Sequence, residues 1–207
     1  MPWAMSPGGS NPSPSVVIGV YGIIGSGKSR VAQIFREKYD FKIISADEIG
    51  HKVINLPEVK EKIVKEFGRS VLDEDSYKID RTHLGDIVFS NLEAKKKLED
   101  ILWQYMTEYI KEELKGSKRA LIDATVLFKA GWNRLCNYTI YVHAPVYLIF
   151  LRLLNKRKYP FKKILYIIKS QKEITDDGDR ATFKIYNNSS VENLSKKVDC
   201  IWKKISP

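Results

Sequence analysis

The chain has 207 residues, 43% of them hydrophobic, which suits one globular domain with insertions better than two independent domains. No apolar run approaches the roughly 18 residues that cross a bilayer, and two cysteines are too few for a disulfide scaffold. The 35 basic and 25 acidic residues give a charge of +10, which favours anionic partners such as nucleic acid, acidic lipid or phosphorylated small molecules.

The first 15 residues contain four prolines, two glycines and four serines, without the basic and apolar regions of a secretory signal. We expect a disordered leader or a cloning remnant at 1–15 and a folded domain at 16–207. The absence of a signal and of a cysteine framework predicts a cytoplasmic protein that has no membrane partner. The oligomeric state cannot be inferred from the sequence.

A phosphate-binding loop is the first motif of the folded part. Residues 22–29 read G-x-x-x-x-G-K-S, between an apolar strand, Val16–Tyr21, and a predicted helix at 29–39. Glycines let successive main-chain amides converge on phosphate oxygens at the positive end of the helix. The motif therefore predicts that the chain binds ATP or GTP.

The nucleotide contacts follow from the chemistry of the loop. Lys28 would reach the β- and γ-phosphates, and the Ser29 hydroxyl would bind Mg²⁺. The loop residues expected to contact the nucleotide are Gly25, Ser26, Gly27, Lys28, Ser29 and Arg30.

Asp47 comes directly after a second predicted strand, at 41–45. Ligands of open α/β sheets bind at the carboxyl ends of the strands. There a carboxylate could act as the general base that accepts a proton from an alcohol during phosphoryl transfer. It could equally be the N-cap of the helical segment that starts at Glu48.

Most of the stretch 48–116 reads as helix, and its longest element is predicted at Leu92–Leu114. Arg81, within this block, could bind substrate or lie on the surface. A third strand is predicted at 119–125. Asp123 near its end could lie close to Mg²⁺ and the substrates or could stabilise a turn.

Further strands are predicted at 138–144 and Phe183–Tyr186, followed by a helix at Val191–Ile205. Alternation of strands and helices predicts an α/β fold: a three-layer core with a parallel five-stranded sheet. The helical block at about 48–116 is an insertion between the second and third strands.

A basic segment, 152–172, follows the fourth strand and contains no acidic residue. Its eight cations are Arg152, Lys156, Arg157, Lys158, Lys162, Lys163, Lys169 and Lys172. We expect a lid at about 152–180 whose cations close over the phosphates, with Arg152 as a catalytic residue and Lys156 or Arg157 beside the nucleotide. An ordinary solvated surface helix is the alternative.

Together these segments resemble the dephospho-coenzyme A kinase family from about residue 16 onward. Residues 18–29 resemble its first strand and loop, 44–51 its D-x-[IL]-[AG]-H motif, and 80–89 its [DN]-R-x-x-L-x-x-I-V-F segment. Residues 123–128 resemble a D-x-P-L-L-F segment, and Gln171 and Asn187-Asn188 resemble later landmarks.

The resemblance implies a P-loop core like that of nucleoside monophosphate kinases, with an inserted helical acceptor domain and a basic lid. It implies transfer of the γ-phosphoryl group of ATP, with Mg²⁺, to the ribose 3′-hydroxyl of dephospho-coenzyme A. Asp47 matches the proposed base of the family, and the segment match makes Arg81 a candidate for acceptor binding.

Four departures from the family pattern concern mainly the acceptor side. Tyr21 stands where a threonine is usual, Ser45 where aspartate is frequent, Trp103-Gln104 where a His-Pro pair is usual, and Lys129 where a glutamate is usual. A kinase for another small alcohol or a nucleoside monophosphate is therefore one alternative. A regulatory or nucleic-acid-binding protein is another, although no nucleic-acid-binding signature is present.

Overall fold

The computed structural model describes residues 16–73, 77–171, 174–175 and 177–206, without the side chains of Lys156 and Arg157. The predicted leader, 1–15, lies outside the described residues, as does Lys172 of the basic segment.

A single parallel sheet forms the centre of the described residues. Its strands are β1 (Val16–Tyr21), β2 (Lys42–Ser45), β3 (Arg119–Asp123), β4 (Tyr138–His143) and β5 (Phe183–Tyr186). All adjacent strands pair in parallel, in the order β2-β3-β1-β4-β5. The predicted five-stranded parallel sheet is therefore confirmed, with β3 and β4 ending slightly earlier than expected.

Helices follow β1, β2, β4 and β5, whereas the connection from β3 to β4 contains a 3₁₀ turn but no described α-helix. The helices are α1 (Lys28–Tyr39), α2 (Ala46–Val53), α3 (Pro57–Phe67), α4 (Arg81–Ser90), α5 (Leu92–Leu114), α6 (Val146–Arg157), α7 (Phe161–Ser170) and α8 (Val191–Ile205). Short 3₁₀ turns lie at Arg69–Val71, Trp132–Leu135 and Asp177–Arg180. Helices α2 to α5 form the helical block between β2 and β3.

Side chains of β1 alternate between two cores on opposite faces of the sheet. Ile18 and Val20 pack with α1 and α8 around Phe35, whereas Val17 and Tyr21 pack toward the helical block. The outcome is a three-layer α/β fold with β1 at its centre and the carboxyl end of β1 leading into the glycine loop. No helix in the described ranges is both long and apolar enough to cross a membrane.

Candidate active site

The glycine loop has a backbone that requires glycine at its end. Gly27 has φ of 105° and immediately precedes α1, a conformation that side-chain-bearing residues rarely adopt. A Cβ there would also collide with the amide nitrogen of Asn187. The loop therefore fits closely against the segment that follows β5.

Side chains from distant elements hold the carbonyl groups of the loop. Arg152 of α6 donates to the carbonyl oxygens of Gly25 (3.1 Å) and Ser26 (3.2 Å), and also to that of Asn187 (3.0 Å). Asn187 Nδ2 donates to the Ser26 carbonyl at 2.7 Å. These bonds fix the loop from outside and leave the amino-terminal end of α1 open toward the cavity.

Gln171, at the end of α7, makes the complementary contact with a main-chain amide. Its Oε1 accepts a hydrogen bond from the Ile24 amide across 2.8 Å. The basic segment is thus attached to the loop at both of its ends, by Arg152 and by Gln171.

Lys28 is buried beneath the loop, with only 9% of its surface exposed. Its Nζ lies 3.4 Å from the Ile23 carbonyl oxygen, and the residue lines a cavity at the end of the loop. An ammonium group in that position has access to an anion bound at the loop.

Ser29 and Asp123 bring a hydroxyl and a carboxylate together. Ser29 Oγ donates to Asp123 Oδ2 at 3.0 Å. Burial raises the pKa of Asp123, the Lys28 charge and the Ser29 hydrogen bond lower it, and the nearby Asp47 charge raises it further.

Oxygen donors of this kind suit Mg²⁺, which is usually held by one or two carboxylates together with substrate phosphates and water. Among the described residues there is no cluster of three or more acidic, histidine or cysteine ligands. Ser29 and Asp123 both line the cavity. This open pair of oxygen donors beside the loop fits a phosphate-bound magnesium ion.

Asp47 lies in the first turn of α2 and faces the same cavity. Its alternative role as the N-cap is wrong, because Ser45 occupies that position and its Oγ accepts from the Glu48 amide at 3.3 Å. The Asp47 side chain therefore makes no capping bond and is exposed to the cavity.

One cavity of about 760 Å³ brings most of the predicted residues together. Its predicted members are Gly25, Gly27, Lys28, Ser29, Arg30, Asp47, Asp123 and Arg152. Ser26 lies behind them, fully buried. Arg81 does not line this cavity and is exposed at the start of α4, and the side chain of Arg157 lies outside the described residues.

An apolar part of the cavity wall was not predicted from the sequence. Met106 of α5, together with Val126 and Trp132 after β3, lines the cavity. Met106 belongs to the apolar stripe of α5, but a stripe does not distinguish core packing from a cavity wall. Trp132 is held by a hydrogen bond from its Nε1 to Thr107 Oγ1 at 2.9 Å.

Two of the departures from the family pattern contact each other. Lys129 pairs with Glu99 at 2.8 Å and lies 5.7 Å from the centre of the Trp103 ring. The lysine thus links the loop after β3 to α5 by charge and by a cation–π contact.

Tyr21, the departure on β1, is buried and joins that strand to the 3₁₀ turn after the basic segment. Its hydroxyl donates to the Asp177 carbonyl at 2.8 Å, and its ring packs against Phe128 and Tyr141. Burial, chiefly, raises the pKa of the Tyr21 hydroxyl well above its ordinary value. The tyrosine side chain is thus long enough for its hydroxyl to connect β1 to the 3₁₀ turn at Asp177.

Comparison with known proteins identifies the same architecture. The model of the dephospho-CoA kinase family matches residues 16–193. A dephospho-CoA kinase from Fusobacterium nucleatum is 34% identical over 186 residues, covering 89% of this chain and 95% of its own. One from Borreliella burgdorferi is 35% identical over 197 residues, covering 92% and 93%.

Among solved structures, a dephospho-CoA kinase from Campylobacter jejuni aligns with a TM-score of 0.62 and 27% identity, covering 92% of this chain and 96% of its own. A shikimate kinase from Acinetobacter baumannii aligns with a TM-score of 0.55 and 16% identity, covering 93% and 96%, and shows that the fold is shared with other kinases.

Proposed function

The chain belongs to the dephospho-CoA kinase family, and from this premise we propose that it phosphorylates the ribose 3′-hydroxyl of dephospho-coenzyme A with ATP. The products are coenzyme A and ADP, so the reaction is the last step of coenzyme A biosynthesis. The transferred group would pass from the glycine loop to a hydroxyl presented near Asp47.

One observation carries the assignment of roles: Asp47 lines the same cavity as Lys28 and Ser29 of the loop. Phosphoryl transfer needs a phosphate site and a proton acceptor that share one enclosed space. Asp47 makes no capping bond, since Ser45 caps α2. Its carboxylate is therefore available to orient the acceptor hydroxyl and take its proton.

The other residues act on the phosphate side. The Lys28 ammonium group would stabilise the negative charge that spreads over the γ-phosphoryl oxygens, and the amides before α1 would fix the β-phosphate. Ser29 and Asp123 would hold Mg²⁺, which when bound neutralises phosphate charge. Arg152 keeps the loop carbonyls in place and remains a candidate for direct contact with phosphate.

The acceptor would occupy the part of the cavity beyond Asp47. The apolar surface of Met106, Val126 and Trp132 suits a nucleoside ring better than a small, fully hydroxylated sugar. Arg81 does not line this cavity. Its role in acceptor binding therefore stays a prediction from the family resemblance.

A coupled ADP-release assay tests the proposal, with acceptors that differ at one position. Dephospho-coenzyme A should support ADP release and yield a product heavier by one phosphoryl group. Coenzyme A is the matched control, because its 3′-hydroxyl is already phosphorylated, and it should give only the background rate. Faster turnover with nucleoside monophosphates or sugars than with dephospho-coenzyme A would overturn the assignment of acceptor.

A further inference from the structure

Most lysines of the basic segment are exposed to solvent away from the cavity wall. Of the residues of this segment whose side chains the structure describes, Arg152, Leu153 and Gln171 line it. Its four lysines with described side chains are all exposed: Lys158, Lys162, Lys163 and Lys169. The phosphate site therefore does not account for this concentration of charge.

Helix α6 carries an apolar face that points away from the glycine loop. Tyr147, Leu151 and Leu154 follow one another at helical spacing and are between 40% and 64% exposed. Ile149 and Leu153, on the opposite side of the helix, are buried in a small core with Ile23. The exposed face is therefore a second apolar surface of α6, additional to the one that packs.

Helix α7 also carries exposed apolar residues. Phe161 and Leu165, one turn apart, are 60% and 49% exposed, while Ile164 between them is buried. Phe150 of α6 and Phe161 meet edge to face, with ring centres 5.4 Å apart. The α6–α7 ridge is hereafter the set of five exposed residues Tyr147, Leu151, Leu154, Phe161 and Leu165.

The charged residues of the segment that carries the ridge have one sign. Residues 144–171 contain no aspartate or glutamate. Lys162 and Lys169 are exposed on α7, and Lys158 is exposed directly after α6. The insertion approaches α7 elsewhere, where Phe89 of α4 packs edge to face on Tyr166 with centres 5.5 Å apart. The ridge is thus an apolar strip with a basic border.

We propose that the α6–α7 ridge binds peripherally to a bilayer surface that contains anionic lipid, in contrast to the expectation from the sequence that the protein has no membrane partner. Leucine and aromatic side chains beside lysines are the combination that enters the boundary between headgroups and acyl chains. Each lysine near an anionic surface adds attraction, which salt screens. A second copy docking through the same ridge would face like charge, so it fits the surface less well.

Sedimentation with vesicles tests this surface independently of kinase activity. The full chain should bind phosphatidylcholine vesicles containing phosphatidylglycerol and should not bind vesicles of phosphatidylcholine alone. Binding should weaken as salt is raised. Absence of binding to the anionic vesicles at low salt would overturn the proposal.

Matched variants separate the ridge from general attraction by a chain of charge +10. Leu151→Gln should reduce partitioning about tenfold, the effect of removing one leucine from an apolar environment. Leu92→Gln, at an exposed leucine of α5, should leave partitioning unchanged. Equal losses in the two variants would contradict the proposal.

The same comparison applies to charge. Lys162→Gln with Lys169→Gln should weaken binding more than tenfold, whereas Lys96→Gln with Lys118→Gln, of identical net charge, should have little effect. Sedimentation equilibrium completes the test. A self-association that Leu151→Gln abolishes would assign the ridge to a second copy, and capture of an acidic protein without vesicle binding would assign it to a protein partner.

Discussion

Ser29 Oγ donates a hydrogen bond to Asp123 Oδ2 across 3.0 Å, which joins the first turn of α1 to the end of β3. Burial raises the pKa of Asp123, and the charge of Lys28 offsets this only in part. A carboxylate in such a place costs stability when it is ionised. Its presence is explained if the ionised form serves Mg²⁺ and phosphate binding.

The substitution Asp123→Asn should therefore stabilise the protein while lowering turnover about 100-fold. The folded pKa of Asp123 lies above the unfolded value, so ionisation favours unfolding and the stability contribution falls as pH rises through the raised pKa. The gain in Tm should consequently be larger at pH 8 than at pH 4. Thermal unfolding at both pH values and the ADP-release assay measure the two effects.

Asp86→Asn is the control, since Asp86 is exposed on α4 and does not line the cavity. It should change neither turnover nor the pH dependence of Tm. A lower Tm for Asp123→Asn at pH 8 would mean that the ionised carboxylate stabilises the fold.

The elements predicted most accurately are those with local signals. Strand β1 and helices α5 and α8 have the predicted bounds, because apolar periodicity and terminal residues define them within the segment itself. The glycine loop was likewise recognisable from its own residues and its neighbours. The ambiguity at Asp47 was also local, and Ser45 resolves it by taking the N-cap position.

Contacts between distant segments could not be predicted in the same way. Arg152 bonds to the carbonyl groups of Gly25 and Ser26, more than a hundred residues earlier in the chain, and this depends on how α6 packs on the loop. The apolar wall of Met106 and Trp132 arises from the packing of α5 against the turn after β3. Periodicity identifies such residues as apolar but not as neighbours of a cavity.

Arg152→Ala should raise the KM for ATP at least tenfold and lower the free energy of unfolding by about 1–2 kcal/mol. The arginine donates to three carbonyl oxygens, and loss of charged hydrogen bonds at a partly exposed site has this magnitude. Arg152→Lys should recover little, because one ammonium group cannot reproduce the planar fork. Steady-state kinetics and urea unfolding distinguish an arginine that holds the loop from a purely catalytic arginine. Loss of a purely catalytic arginine would lower kcat without reducing the free energy of unfolding.

The Glu99–Lys129 pair predicts a favourable coupling energy of about 0.5–1 kcal/mol. Each charge reversal alone, Glu99→Lys or Lys129→Glu, should lower the free energy of unfolding, because it replaces an ion pair of 2.8 Å with two like charges that repel each other. The double reversal should recover most of the loss. Since Lys129 belongs to the loop that carries Val126 into the cavity, the single variants should also raise the KM for dephospho-coenzyme A.

The pair of Lys111 with Glu108 is a suitable comparison, since it is exposed on one helix and neither residue lines the cavity. Its reversal should leave the acceptor KM unchanged. Additive effects of the two reversals at Glu99 and Lys129 would show that the ion pair does not position the loop.

Asp47→Asn should lower kcat with dephospho-coenzyme A by about 10²–10⁴, the usual contribution of a general base. The KM for ATP should stay nearly constant, because the loop and Lys28 are untouched. Asparagine keeps the size and the hydrogen-bonding oxygen of aspartate but cannot accept the proton.

Glu48→Gln is the control for Asp47→Asn. Glu48 is the next residue of α2, is exposed and does not line the cavity. The change removes a carboxylate of equal charge and should retain full turnover. Near-wild-type turnover of Asp47→Asn would transfer the role of base to another group, and Asp123 is the other carboxylate among the described residues that line the same cavity.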